Sequence, residues 1–168
     1  MSADFAGRLL DVTAARDFTL AGNARVTVVS VATGTRFTFR VRVAKRLAEG
    51  AAAPVGPWFV SVLTGPENAT DFSYFGTVFV DGGYAYNRRK ATIAQDAPSV
   101  RAFEWFWKQI QAGTLPASVE VWHEGRCGRC AHDLTVPESI ARGLGPKCAG
   151  LTGGEATPKR TRAATVAA

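Results

Sequence analysis

One histidine and all three cysteines of the chain share a short stretch: His123, Cys127, Cys130 and Cys148, in the pattern His-x3-Cys-x2-Cys-x17-Cys. One imidazole and three thiols are the ligand set of a closed, tetrahedral zinc site. Two residues between Cys127 and Cys130 allow a tight turn that aims both sulfurs at one point, and Gly128 relieves crowding within it. The only other histidine, His132, lies two residues past Cys130, where ligation would force a cramped chelate. His123 is therefore the expected fourth ligand, with His132, an acid or water as the alternatives. Four protein ligands make a structural metal, whereas an open position keeps Lewis-acid catalysis available.

Three rival chemistries compete for the same thiols. Cys127-Gly128-Arg129-Cys130 has the spacing of a redox dithiol, but that motif sits where a strand feeds a helix N-terminus, and Ala131-His132-Asp133-Leu134 is a poor helix start. A set of inert thiols is the second rival. A disulfide is the third; the odd cysteine number and the absence of a signal-like N-terminus point instead to a reducing compartment.

The stretch Gly125-Arg126-Cys127-Gly128-Arg129-Cys130, followed by Leu134-Thr135-Val136-Pro137-Glu138-Ser139-Ile140 and Gly143-Leu144-Gly145-Pro146-Lys147-Cys148-Ala149, resembles a small zinc-finger-like domain of unknown function. That domain is common in bacteriophage and prophage proteins. The resemblance covers about thirty residues and implies Cys127, Cys130 and Cys148 as zinc ligands, with His123 beside them. Ala131-His132 stands where a Gly-Arg pair is more usual, and Leu144 replaces the commoner Ile. Segments around Ala21-Gly22-Asn23, Gly34 to Thr38 and Phe59 to Pro66 are similar to those preceding this finger in phage accessory proteins. No activity follows from the likeness; a viral origin and the cytoplasm of a bacterial host do.

The elements that must position the cysteines are mostly strands. Val26 to Val31, a turn at Thr33-Gly34, and Arg36 to Val43 read as a hairpin; Trp58 to Leu63 and Phe72 to Val80 read as further strands, and Phe18-Thr19-Leu20 as the opening of a first one. Residues 1 to about 20 are expected to be an edge element or partly disordered, and Glu49 to Pro54 a loop. After Pro98, Ser99 is the expected cap of a helix over about 99–112, with Phe103, Phe106, Trp107 and Ile110 on one face and Gly113 as its stop. Val119 to His123 is a last strand that delivers His123, and Thr135-x-x-Glu138 a capping box for a short helix ending near Gly143.

The expected fold class is α+β: an antiparallel β-sheet with a covering helix, plus a small C-terminal zinc-binding module. The boundaries are 1–117 for the β-rich domain, 118–152 for the module and 153–168 for a disordered basic tail. With 168 residues and 46% hydrophobic content the chain can build one compact core and a small satellite, and it has no apolar run of the ~18 residues that a membrane span needs.

A net charge of +6 is distributed unevenly. Strict alternation in Arg36 to Val43 puts Phe37, Phe39, Val41 and Val43 on a core face and Arg36, Arg40 and Arg42 on the other. Lys45 and Arg46 extend that patch, and Arg88, Arg89 and Lys90 form a second. A row of arginines is a track for phosphates if Tyr74, Tyr84 or Tyr86 offers a ring for base stacking; it is equally the ordinary solvated side of an amphipathic strand. Arg126, Arg129, Arg142 and Lys147 add positive charge around the cysteines.

An enzyme is a weaker reading. Both histidines and every cysteine fall in the metal segment, and neither a Walker loop nor a Gly-x-Ser-x-Gly elbow is present. Asp71, Asp81 and Asp96 sit in turn-like sequence, and Glu124 lacks the Pro-Cys-x-x-Cys context of nucleobase deaminases. The expectation is a non-catalytic, zinc-stabilised accessory protein that binds nucleic acid in replication or recombination. The alternative is a protein-binding module or inhibitor of a host factor such as a defence system.

Overall fold

The structure, a computed structural model, describes residues 7–44, 55–67, 69–135 and 137–151. Its elements in chain order are β1 (Arg8–Leu9), α1 (Val12–Thr19), β2 (Asn23–Ser30), β3 (Arg36–Val43), β4 (Trp58–Leu63), β5 (Phe72–Val78), β6 (Tyr84–Tyr86), α2 (Pro98–Gln111), β7 (Val119–His123), α3 (Pro137–Arg142) and α4 (Pro146–Leu151). The strands form one seven-stranded antiparallel sheet in the order β1-β7-β2-β3-β4-β5-β6, and the fold is α+β. Among the described residues no helix is long and apolar enough to cross a membrane.

Period-2 alternation sorts the sheet into two faces. Val26 and Val28 of β2, Phe39 and Val41 of β3, and Trp58, Val60 and Val62 of β4 are buried in one core with Phe18 of α1 and Val100, Phe103, Phe106, Trp107 and Ile110 of α2. Phe103 is its hub: its ring lies 5.1 Å from Phe39, 5.3 Å from Tyr84 and 5.8 Å from Phe75. Full burial of each such ring is worth roughly 1.5–3 kcal/mol, so the helix face and sheet face hold each other in place. Trp107 Nε1 donates to the Gly82 carbonyl at 2.8 Å and ties α2 to the β5–β6 turn.

Two local expectations are corrected, and one helix is added. Phe18-Thr19-Leu20 closes a helix rather than opening a strand; the Asp11 carboxylate starts that helix by accepting from the N–H groups of Thr13 and Ala14 at 3.0 and 3.3 Å. Ser99 is not the cap of α2, which begins at Pro98 with Ala97 at the N-cap and no side-chain capping bond. Pro at the first helical position supplies the start by its fixed φ. The added helix is α4, which Pro146 opens and which carries Cys148. The loop expected at Glu49 to Pro54, Lys45 and Arg46, and the tail from 153 onward lie outside the described residues.

β7 is an interior strand. It pairs antiparallel with β2 (Val28 opposite Val121) and with β1 (Leu9 opposite Val121), so residues 119–123 are part of the sheet and the cysteine segment proper begins after His123. That segment is seated on α1 through Phe18. Gly128 has no side chain there because a Cβ would stand 2.8 Å from the Phe18 ring. The Phe18 ring also lies 5.3 Å from the His123 imidazole.

Gly128→Ala should therefore cost about 1–3 kcal/mol of stability by forcing Phe18 out of place. Gly150→Ala, at a helical position with nothing within 4 Å of the added methyl, should leave stability unchanged or slightly raised. Urea unfolding of both variants measures the difference; equal effects would contradict the seating of the segment on Phe18.

Candidate metal centre

A small hairpin carries the first two thiols. Cys127 N–H donates to the His132 carbonyl at 2.9 Å, Leu134 N–H to Gly125 at 2.8 Å, and Arg126 bridges to Asp133, leaving Cys127 to Ala131 as the turn. Ala131 N–H closes it onto the Cys127 carbonyl at 2.9 Å, with Ala131 itself at φ 63°. The third thiol arrives on α4. Its backbone reaches the turn where Gly145 N–H donates to Cys127 Sγ at 3.4 Å.

Cys127, Cys130 and Cys148 are thus brought together, their sulfurs all within 4.8 Å of one another, and could hold a metal ion. Cys127 and Cys148 are buried and Cys130 is exposed. Around them Ala21, Leu144 and Ala149 form a second, smaller apolar core with Leu134 against it.

The thiol electrostatics suit a cation. Burial alone would push the Cys127 thiol up, but hydrogen bonds from the backbone of Cys130, Gly145 and Arg129, and from the Cys130 side chain, carry its pKa down. A thiolate is the form that ligates a metal. The Cys148 thiol is pushed up to about 12 by burial and by the charge on Cys127. Crowded thiolates of this kind ionise together when a divalent cation compensates them.

His123 is not in the cluster. Its Nε2 lies 2.5 Å from the Ile140 carbonyl and its Nδ1 accepts from Gly125 N–H at 2.9 Å. A ring with Nδ1 accepting and Nε2–H donating is neutral and has no lone pair left for a metal. The expected fourth ligand is therefore corrected to a structural residue that ties β7 to the cysteine hairpin and to α3. The imidazole beside the thiols is that of His132, exposed, with Nδ1 3.2 Å from Cys130 Sγ.

Residues 120–152 match the model of a family of unknown function, DUF6011. The match begins inside β7 and ends just past α4, so it spans the three thiols and their supports. No curated protein matches the chain. No solved structure matches it either.

The basic residues divide between two places. Arg40 and Arg42 share the outer face of the sheet, Arg40 half-buried and Arg42 exposed, and Arg36 is exposed at the start of the same strand. Arg25 of β2, which carried no signal of its own in the sequence, stands directly opposite Arg40. Both guanidinium groups lie over the Phe72 ring, at 5.7 and 4.5 Å from its centroid. Arg88, Arg89 and Lys90 occupy an exposed turn after β6, held by the Asn87 side chain, which accepts from the N–H groups of Arg89 and Lys90. Arg46 lies outside the described residues. Of the three tyrosines, Tyr84 packs in the core and Tyr86 donates to Ile93, while Tyr74 stands edge-on to Phe59 at 5.8 Å.

Two tests follow. A non-glycine residue at positive φ is strained, so Ala131→Gly should raise stability by about 0.5–1 kcal/mol in thermal or urea unfolding, and a loss would contradict that strain. Burial holds the His123 pKa below its ordinary 6.5, the bond to Ile140 opposing in part. Between the folded and unfolded values the unfolded chain binds the extra proton, so this contribution to stability is complete above about pH 6.5 and lost as pH falls below it. Gln can donate to Ile140 without titrating. His123→Gln should therefore flatten that part of the pH profile, measured as midpoint against pH, and an unchanged profile would reject the role.

Proposed function

We propose that the chain is a non-catalytic, zinc-stabilised protein of phage or prophage type that binds nucleic acid. The observation that carries this reading is a cluster of positive charge on the outer sheet face beside the three-thiol site. Arg25, Arg40 and Arg42 crowd together there, and among the described residues Glu124 is the one carboxylate paired with any of them, to Arg25 at 3.5 Å. Burial first, then the neighbouring Arg42 and Arg25, hold the Arg40 pKa below its ordinary value. Like charges so placed raise the energy of the free protein, and a polyanion relieves them.

Zinc is the metal that three thiolates with a nitrogen or oxygen donor fit best. His132 and water are the donors available for the fourth position. The metal would supply a cross-link between the hairpin and α4, and the chain's own residues do the binding. A protein partner, such as a host defence factor, is the second reading; Phe79, Val80 and Trp105, apolar yet exposed, favour it.

Protein purified without added metal should carry roughly one zinc per chain, lost in Cys127→Ser and Cys148→Ser but kept in His123→Gln. Elemental analysis decides this, and zinc retained in both cysteine variants would reject the ligand set. Nucleic-acid binding should weaken steeply with rising salt. A salt-independent complex with a protein would favour the second reading.

A further inference from the structure

The outer face of the sheet has features that a merely solvated face does not need. Across it run, in register, Arg25 opposite Arg40, Arg42 opposite Phe59, and Ser61 opposite Tyr74. Phe59, the second residue of β4, is 44% exposed between the buried Trp58 and Val60. Its ring has Tyr74 at its edge, and the Tyr74 hydroxyl is fixed by Thr77 at 2.8 Å and by Asn87 Nδ2 at 3.0 Å. Asn87 in turn caps the turn that holds Arg89 and Lys90. Among the described residues no helix packs on this face, because α1 and α2 share the core on the other side.

At the β2 end the face opens into a cleft of about 60 Å³ lined by Asn23, Arg25, Arg42, Glu124, Arg126 and Cys127, among others. Two of the three arginines come from the sheet and the third from the cysteine hairpin. Asn23 accepts from Arg42 Nε at 3.3 Å, Glu124 pairs with Arg25, and Arg126 with the exposed Asp133 at 3.5 Å. The cleft is a cationic concavity whose one wall is the backbone that carries Cys127.

The geometry points to a binding path for single-stranded nucleic acid, an assignment that rests on the nucleic-acid reading: a base stacks on Phe59, which Tyr74 braces edge-on, and phosphates run over Arg40 and Arg42 to a terminal cleft lined by Arg126. An exposed ring such as Phe59 takes an unpaired base, which a duplex keeps stacked inside. From β2 to β6 the sheet spans four strand spacings, about 19 Å, and open sheets of this width present rings to two or three bases. The metal enters only through placement. Bound by the three thiols, it would fix the hairpin and so keep Arg126 beside the two sheet arginines.

The test is fluorescence anisotropy of the full chain with a labelled twelve-nucleotide oligothymidylate, a duplex of equal length, and polyglutamate as an acidic-protein surrogate. The single strand should bind tightest, with affinity falling about 20- to 50-fold between 50 and 200 mM salt for three to four neutralised phosphates. Phe59→Ala should weaken it about tenfold. Arg126→Ala should weaken it and flatten the logarithmic salt slope by about 0.7. Chelation of the metal should produce the Arg126→Ala loss and add nothing to it. A duplex bound more tightly than the strand, or unchanged affinity in either variant, overturns the path while salt-dependent nucleic-acid binding keeps the broader reading. Binding of polyglutamate alone, or of none of the three probes, overturns both.

Discussion

The Phe18 ring is the contact on which the two halves of this molecule meet. It belongs to the main core through α1, lies against the His123 ring at the end of β7, and fills the space that Gly128 leaves beside the first cysteine. Asn23, where β2 begins, donates its N–H to the Gly128 carbonyl at 2.7 Å, and Gly128 donates to Gly143 at 2.9 Å. The cysteine segment is thereby seated on the sheet by one ring and a short chain of backbone bonds. Its own apolar core, centred on Ala21, Leu144 and Ala149, is too small to hold the segment folded without further support. A metal held by the three thiols would supply that support by cross-linking hairpin and α4, and the seat on Phe18 gives the segment a fixed orientation.

This arrangement explains why His123 is buried rather than ligating. A histidine at the end of a sheet strand, with Gly125 and Ile140 backbone groups on either side, has both of its ring nitrogens satisfied by hydrogen bonds. Ligation would remove the acceptor lone pair from Gly125 N–H. The same end of the sheet brings Arg25 and Arg42 next to Arg126. The metal segment and the cationic face are therefore neighbours by construction, through β2 and β7 pairing.

Much of this was legible in the sequence, for physical reasons. Alternation in Arg36 to Val43 and the 3.6-residue spacing of Phe103, Phe106, Trp107 and Ile110 are strong periodic signals, and both faces fall as the patterns require. Cysteine spacing pointed to one cluster because the three thiols have few other chemical uses. Helix α1 is hard to read because it has only eight residues and its buried side, Ala15, Phe18 and Thr19, holds one large apolar side chain, although Asp11 is a cap signal. β1 and β6 are too short to show a period. The placement of β7 between β1 and β2 is a non-local pairing that no window of sequence contains. Spacing alone does not tell which backbone groups surround the His123 ring, and Arg25 gains its meaning only from Arg40 on the neighbouring strand and Phe72 on β5.

The central claim, that Cys127, Cys130 and Cys148 form one metal centre without His123, is tested most directly by zinc-edge X-ray absorption of the purified protein. The account predicts three sulfurs at about 2.3 Å and one nitrogen or oxygen at about 2.0–2.1 Å, unchanged in His123→Gln. Fewer than three sulfurs, or a lost nitrogen shell in that variant, would contradict it.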